Sequence, residues 1–238
     1  MLKNNRLKHF FSILLALLIF VPAFGQKAKI LNYSTLDDHA IHFGFCLGLN
    51  TMDFVVKPNY QSFIKDSILG DVSSPSIGFH IQIVSNYRLT DYLDLRFLPG
   101  ISFGQRDLYF YKNNKLIEHG QQKLESNFLE FPLLLKYKGK RLNNVRPYLV
   151  SGLNCRYDLA KTYSEDNDTF LDLKEFDYYF EAGTGMDFYL PYFKFSTEFK
   201  VSYGFRNVLK PRASSSPQYQ NSIDRLNSML FMLSFFFE

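Results

Sequence analysis

Phe193-Lys194-Phe195-Ser196-Thr197-Glu198-Phe199-Lys200-Val201-Ser202-Tyr203-Gly204 decides the fold. Phe193, Phe195, Thr197, Phe199, Val201 and Tyr203 take every second position, with Lys194, Ser196, Glu198, Lys200 and Gly204 between them. Successive side chains of a β-strand point to opposite faces, so a period of two gives one apolar and one polar, charged face.

The same alternation recurs along the chain. In Ile77–Arg88, Ile77, Phe79, Ile81, Ile83 and Tyr87 oppose Gly78, His80, Gln82, Asn86 and Arg88. In Leu93–Gly104, Leu93, Leu95, Phe97, Ile101 and Phe103 oppose Asp94, Arg96, Gly100, Ser102 and Gly104. Leu129, Phe131, Leu133, Leu135 and Tyr137 oppose Glu130, Lys136 and Lys138. Fainter alternation marks Phe43–Asn50, Pro147–Asp158, Tyr178–Leu190 and Met229–Phe237. Eight strands result, most of them long enough to cross a bilayer, which takes about 9–11 tilted residues. Short connections (Leu89–Tyr92, Gly139–Asn144, Leu190–Tyr192) alternate with longer polar ones at 57–75, 107–125, 159–175 and 206–226. That rhythm, with an even strand number, predicts an all-β, eight-stranded antiparallel up-and-down transmembrane β-barrel of the outer-membrane type.

The charged face carries Arg96, Glu130, Lys136, Arg156, Glu181, Lys194, Glu198 and Lys200. A soluble barrel of the lipocalin kind would turn these outward and its apolar face inward. The apolar face here is too rich in Phe for that, since an eight-stranded lumen is only wide enough for side chains to fill. Turned inward instead, acids and bases pair, and the eight form an expected lumen charge network. Tyr87, Tyr92, Tyr137, Tyr189, Tyr192 and Tyr203, near strand ends, suit interfacial girdles.

The 238 residues are 46% hydrophobic and 21% charged, which excludes disorder. Lys3, Arg6 and Lys8, the apolar run Phe10–Val21 and the small-residue site Ala23-Phe24-Gly25 have the order of a secretory signal peptide. The expected division is therefore a signal peptide at 1–25 and a barrel at 26–238. A membrane-anchoring helix is the competing reading, but the apolar stretch is short for a span. Three of the 27 basic residues lie in this leader; the remainder nearly balance the 23 acidic ones. That leaves no basic excess for nucleic acid. Cys46 and Cys155 fall on strands expected to be apart, and read as lone thiols.

Nothing in the pattern points to catalysis, a cofactor or a metal. His42 and His80 should share the lumen face, yet no third ligand accompanies them, so hydrogen-bonded lumen histidines are expected. No Gly-x-Ser-x-Gly elbow occurs, and the chain is expected not to be an enzyme. Gly183-Thr184-Gly185 lacks the lysine and helix of a phosphate loop and reads as room for lumen side chains. Glu165, Asp166, Asp168, Asp172 and Glu175 lack the order of a calcium loop and read as a solvated acidic segment.

The segment Leu129–Tyr137 (Leu-Glu-Phe-Pro-Leu-Leu-Leu-Lys-Tyr) resembles the fourth strand of PorT-type outer-membrane β-barrels of Bacteroidota. Arg146-Pro147-Tyr148-Leu149, with Gly152, Asn154, Tyr157, Asp158 and Leu159, resembles the strand that follows there. Phe193–Ser196, with Glu198, Lys200, Ser202, Tyr203, Gly204, Asn207, Val208 and Leu209, and the Phe-rich last strand are a third match. The resemblance spans the mature chain and implies a place in the type IX protein secretion system, which in some species supports gliding. It implies no catalytic residues. Expected partners are outer-membrane lipid and other secretion proteins, with Lys210, Arg212 and Arg225 as the first candidates for a contact loop. A small barrel for solute passage or surface binding, unrelated to secretion, and a soluble periplasmic ligand-binding barrel remain as alternatives.

Overall fold

In a computed structural model, which describes residues 31–32, 39–59, 68–112, 115–160, 173–210 and 221–238, the alternating stretches are strands hydrogen-bonded into a closed ring. The leader Met1–Gly25 lies outside the described residues. In chain order the strands are β1 (Ile41–Pro58), β2 (Ile68–Arg88), β3 (Leu93–Phe97), β4 (Gly100–Lys112), β5 (Lys115–Lys138), β6 (Val145–Asp158), β7 (Phe176–Tyr189), β8 (Lys194–Gly204) and β9 (Ile223–Phe237). All pairings are antiparallel, and β1 pairs with both β2 and β9, so no edge is left within the ring.

β3 and β4 are two pieces of one stave. Both pair with β2 on one side and β5 on the other. They part at Leu98-Pro99, where proline has no N–H for the ladder. The ring is held across the gap by Leu98 N–H donating to the Pro132 carbonyl (3.1 Å) and Ile83 N–H donating to that of Pro99 (2.9 Å). The expected eight strands are thus eight staves, with the third broken.

The short connections gather at one end, the periplasmic one in outer-membrane barrels. The turn between β5 and β6 needs a left-handed residue, and Asn143 supplies it at φ 55°. Asparagine tolerates that region better than most residues.

At the other end the strands run further than their pattern suggests. The segments 57–75, 107–125 and 206–226, read as loops, contribute β2 from Ile68, the β4–β5 hairpin out to Lys112 and Lys115, and β9 from Ile223. β5 alone has 24 residues, well beyond a bilayer's need. This projecting part has an apolar interior, where Phe54, Leu108, Phe110, Ile223 and Leu226 pack with Leu173 and Val208 from the connecting segments. A Leu173–Leu209 bridge and Lys174 N–H donating to the Val208 carbonyl (2.7 Å) tie those segments together. Each such side chain taken from water contributes about 1.5–3 kcal/mol.

Below this cap the arrangement is reversed. Phe43 (68% exposed), Ile77 (79%), Leu133 (50%) and Leu153 (60%) face outward, whereas Arg96, Glu130, Lys136, Arg156, Glu181 and Lys200 are fully buried. The soluble lipocalin arrangement is thereby excluded. An apolar exterior on a ring with no free edge satisfies the backbone without water, as a bilayer demands. Tyr87, Tyr92, Tyr137 and Tyr203 stand on the outside, but Tyr189 does not join a girdle. It is 2% exposed and lies beneath the Arg141 guanidinium, 3.7 Å from its ring centroid.

Candidate functional site

In the part of the ring below the cap, even-numbered positions of β3, β4, β6 and β8, of β5 from Leu124 and of β9 from Leu226, and odd-numbered positions of β7, turn inward, which collects the lumen charges from distant parts of the chain. At the short-turn end Glu238 accepts from Lys194 Nζ (2.9 Å) and Arg96 Nη2 (3.1 Å) and lies 2.8 Å from His42 Nε2. Arg96 reaches on to Glu198 (3.4 Å), and Glu198 stands 3.9 Å from Lys200. Lys200 pairs with Glu181 (2.8 Å), Glu181 with Arg156 (2.9 Å) and Arg156 with Glu130 (3.4 Å). Seven of the eight sequence-predicted lumen charges therefore stand in one chain of ion pairs with Glu238 at its foot. Lys136, the eighth, binds Asp187 (2.7 Å) to one side.

Uncharged groups fill what remains. Glu130 accepts from Gln82 (3.1 Å) and from the Ser102 hydroxyl, and Asn154 Nδ2 donates to Glu181 (2.7 Å). Aromatic rings lie against the cations. Tyr148 sits 3.7 Å from Lys136 Nζ, Tyr179 4.4 Å from the Arg156 guanidinium and Phe236 4.7 Å from that of Arg96. Such contacts gain strength when desolvated, to about 2 kcal/mol. Cys46, Val84, Leu98, Leu134 and Phe236 pack into an apolar cluster in the same interior. Glycine makes the fit: a methyl at Gly185 would strike the Tyr148 ring, and one at Gly48 the His80 ring.

Several lumen charges escaped the network read from sequence. Glu238 is in phase with Ser234 and Phe236, and Arg106 with Ser102 and Gly104, so strict parity would have found both. Arg106 donates to Ser126 (2.8 Å) and Ser228 (3.0 Å), pairs with Asp158 (3.4 Å) and stacks over Phe54 (4.2 Å). Asp94 pairs with Lys138 (2.6 Å).

The two histidines do not share a site. His80 Nε2 is 2.9 Å from Ser234 Oγ, while His42 belongs to the Glu238 cluster. Cys46 on β1 and Cys155 on β6 are both free thiols. Among the described residues no cluster of three or more metal-ligating side chains occurs. In the expected contact loop Lys210 and Arg225 are exposed, and Arg225 donates to the Phe205 carbonyl (2.7 Å), so its charge also holds the loop to β9. Arg212, Glu165, Asp166, Asp168 and Asp172 lie outside the described residues; Glu175 accepts from the Tyr157 hydroxyl (3.1 Å).

Removing one partner of a buried ion pair costs about 3–5 kcal/mol. Glu198→Ala, which strips Arg96 of one of its two carboxylates, should therefore destabilise the barrel more than any single loop substitution. Heat-modified gel mobility of the purified variants reads this directly, and equal melting of Glu198→Ala and a loop variant such as Glu175→Ala would contradict it.

A family match supports the architecture. Residues 24–210 match the family model described as outer membrane protein beta-barrel domain. No curated protein matches the sequence. Among solved structures, Neisserial surface protein A aligns over 83% of this chain and 98% of its own, at 13% identity and a TM-score of 0.40. OprG from Pseudomonas aeruginosa aligns over 83% and 91%, at 13% identity and a TM-score of 0.41. AlkL, solved in DMPC lipid bilayers, aligns over 90% and 95%, at 13% identity and a TM-score of 0.36. With a family match over most of its length and a ring that is apolar outside and ionic within, the chain belongs to the outer membrane protein beta-barrel domain family and resides in the cell outer membrane.

Proposed function

We propose that the barrel is a non-enzymatic component of the type IX protein secretion system, serving assembly or scaffolding of the machinery rather than conduction. The secretion role is supported by the resemblance to PorT-type barrels at Leu129–Tyr137, Arg146–Leu149 and Phe193–Leu209. The scaffolding role is carried by one observation: the lumen is occupied by side chains, with Arg96, Arg156, Glu181 and Lys200 completely buried in it. Secreted cargo has no route through such an interior. What the protein offers partners is its surface beyond the bilayer, above all the projecting β4–β5 hairpin and the segment around Lys210 and Arg225.

Two measurements test this. The purified barrel should be silent in planar-bilayer recordings, and steady unitary conductance would overturn the filled lumen. Deleting the gene should deplete type IX cargo from the culture medium, read by proteomics; unchanged export would remove the secretion role. A surface-binding barrel unrelated to secretion is the second reading, favoured by the apolar-cored cap that strands β1, β4 and β9 build above the bilayer. It predicts a silent bilayer with normal export.

A further inference from the structure

On the outer wall β2 shifts register against β4 twice, between Val72 and Pro75 and between Pro75 and Phe79. Beside these shifts lies a groove of about 600 Å³, floored by the backbone at Gly78 and Gly104. Its volume falls within the range of small-ligand sites, about 300–1,000 Å³. The side-chain directions of Gly78 and Gly104 point inward, at Asn50 and Met52, so on this outer wall they present only backbone. Ile77, Phe79 and Phe103 form the apolar part, the two Phe rings stacked at 4.8 Å. Gln105, Glu125 and Asn127 form the polar part, where the outward face of β4 and β5 changes from apolar to polar.

We propose that this groove binds one membrane lipid with a primary-ammonium head group. The apolar part continues without interruption into the exposed column Ile81, Ile83 and Ile101, whose surroundings in a bilayer are acyl chains. An occupant entering from there is a lipid, with its chain against Phe79 and Phe103 and its head group at the polar lip. The lining includes one carboxylate and no basic side chain. Gln105 donates its amide to Asp107 (2.7 Å), which directs its carbonyl oxygen to accept. Two acceptors, one of them anionic, suit an ammonium and repel a head group of net negative charge. This inference is independent of any role in secretion.

Native mass spectrometry of the folded, full mature chain tests it, with phosphatidylethanolamine and phosphatidylglycerol of identical acyl chains supplied in equal amounts. The expected result is retention of one phosphatidylethanolamine per barrel, about two- to fivefold over phosphatidylglycerol, the range for a partly solvated ion pair. Glu125→Gln should abolish that preference while leaving acyl-lipid retention in place. Asn127→Trp, which fills the groove, should abolish retention itself while heat-modified gel mobility shows the barrel folded. If Asn127→Trp fails to fold, Glu125→Gln carries the test alone. Equal retention of the two lipids by the unaltered protein, or an unchanged preference in Glu125→Gln, overturns the proposal.

Discussion

Glu181→Ala should lower the stability of the folded barrel by about 3–5 kcal/mol, the cost of stranding buried charge. Glu181 sits in the middle of the ion-pair chain and is fully buried. One oxygen accepts from Arg156 (2.9 Å), Asn154 (2.7 Å) and Ser202 (3.0 Å), and the other pairs with Lys200 (2.8 Å). Without it Arg156 retains Glu130 at 3.4 Å, but Lys200 has only Glu198 at 3.9 Å. The loss should exceed that of Glu198→Ala, whose contacts with Arg96 and Lys200 are both longer. Because the damage is an uncompensated cation, Glu181→Ala with Lys200→Met should recover part of it, a coupling that a double-mutant cycle isolates. Heat-modified gel mobility over a temperature series gives the measurement. A double variant that melts no later than the single one would show that the pair is not the source of the stability.

Leu133→Arg should cost nearly as much, by setting a cation against lipid on the opposite face of the wall. Leu133 lies at the centre of the outward apolar run of β5, between Leu129 and Tyr137, and is half exposed in the isolated chain. Arginine on the lipid face at the bilayer midplane costs about 2–4 kcal/mol. The neighbouring Leu134 is fully buried with Val84 and Phe236, and Leu134→Ala should cost about 2–5 kcal/mol by leaving a cavity. The solvent separates the two: moving from lipid vesicles to detergent micelles, where the head can reach water, should relieve much of the Leu133→Arg defect and little of the Leu134→Ala defect. Folded yield after refolding into each medium is the readout. A Leu133→Arg protein that refolds normally into vesicles would place this face away from lipid.

The membrane part of the ring was legible because only one face of each strand meets lipid there. Phe193–Gly204 and Leu129–Lys138 show both strand and orientation in a single pass. Above the bilayer the pattern fails for a definite reason. Along β4 the inward positions are Ser102, Gly104 and Arg106 and then Leu108 and Phe110; the outward ones are Ile101 and Phe103 and then the half-buried Gln105. The backbone keeps its parity while the apolar set changes side. To a reader of hydrophobicity that is a broken alternation, and 107–125 looks like a loop. Tyr148, Tyr179 and Tyr189 point inward because lumen cations need ring faces, a demand that composition does not reveal. The inward side of Glu238 was legible from its phase with Ser234 and Phe236; only its pairing with Lys194 and Arg96 depends on the ring being closed.

That change of side along β4 works like the load line on a hull. If the barrel rose by two residues, about 5 Å along the membrane normal for strands tilted by about 45°, apolar rows such as Phe79 and Phe103 would leave the oil. If it sank as far, Asp53 and Gln105 would enter it. Neither displacement is downhill, so the draught of the vessel is set by its own planking, and whatever docks on deck meets it at a fixed height above the sea.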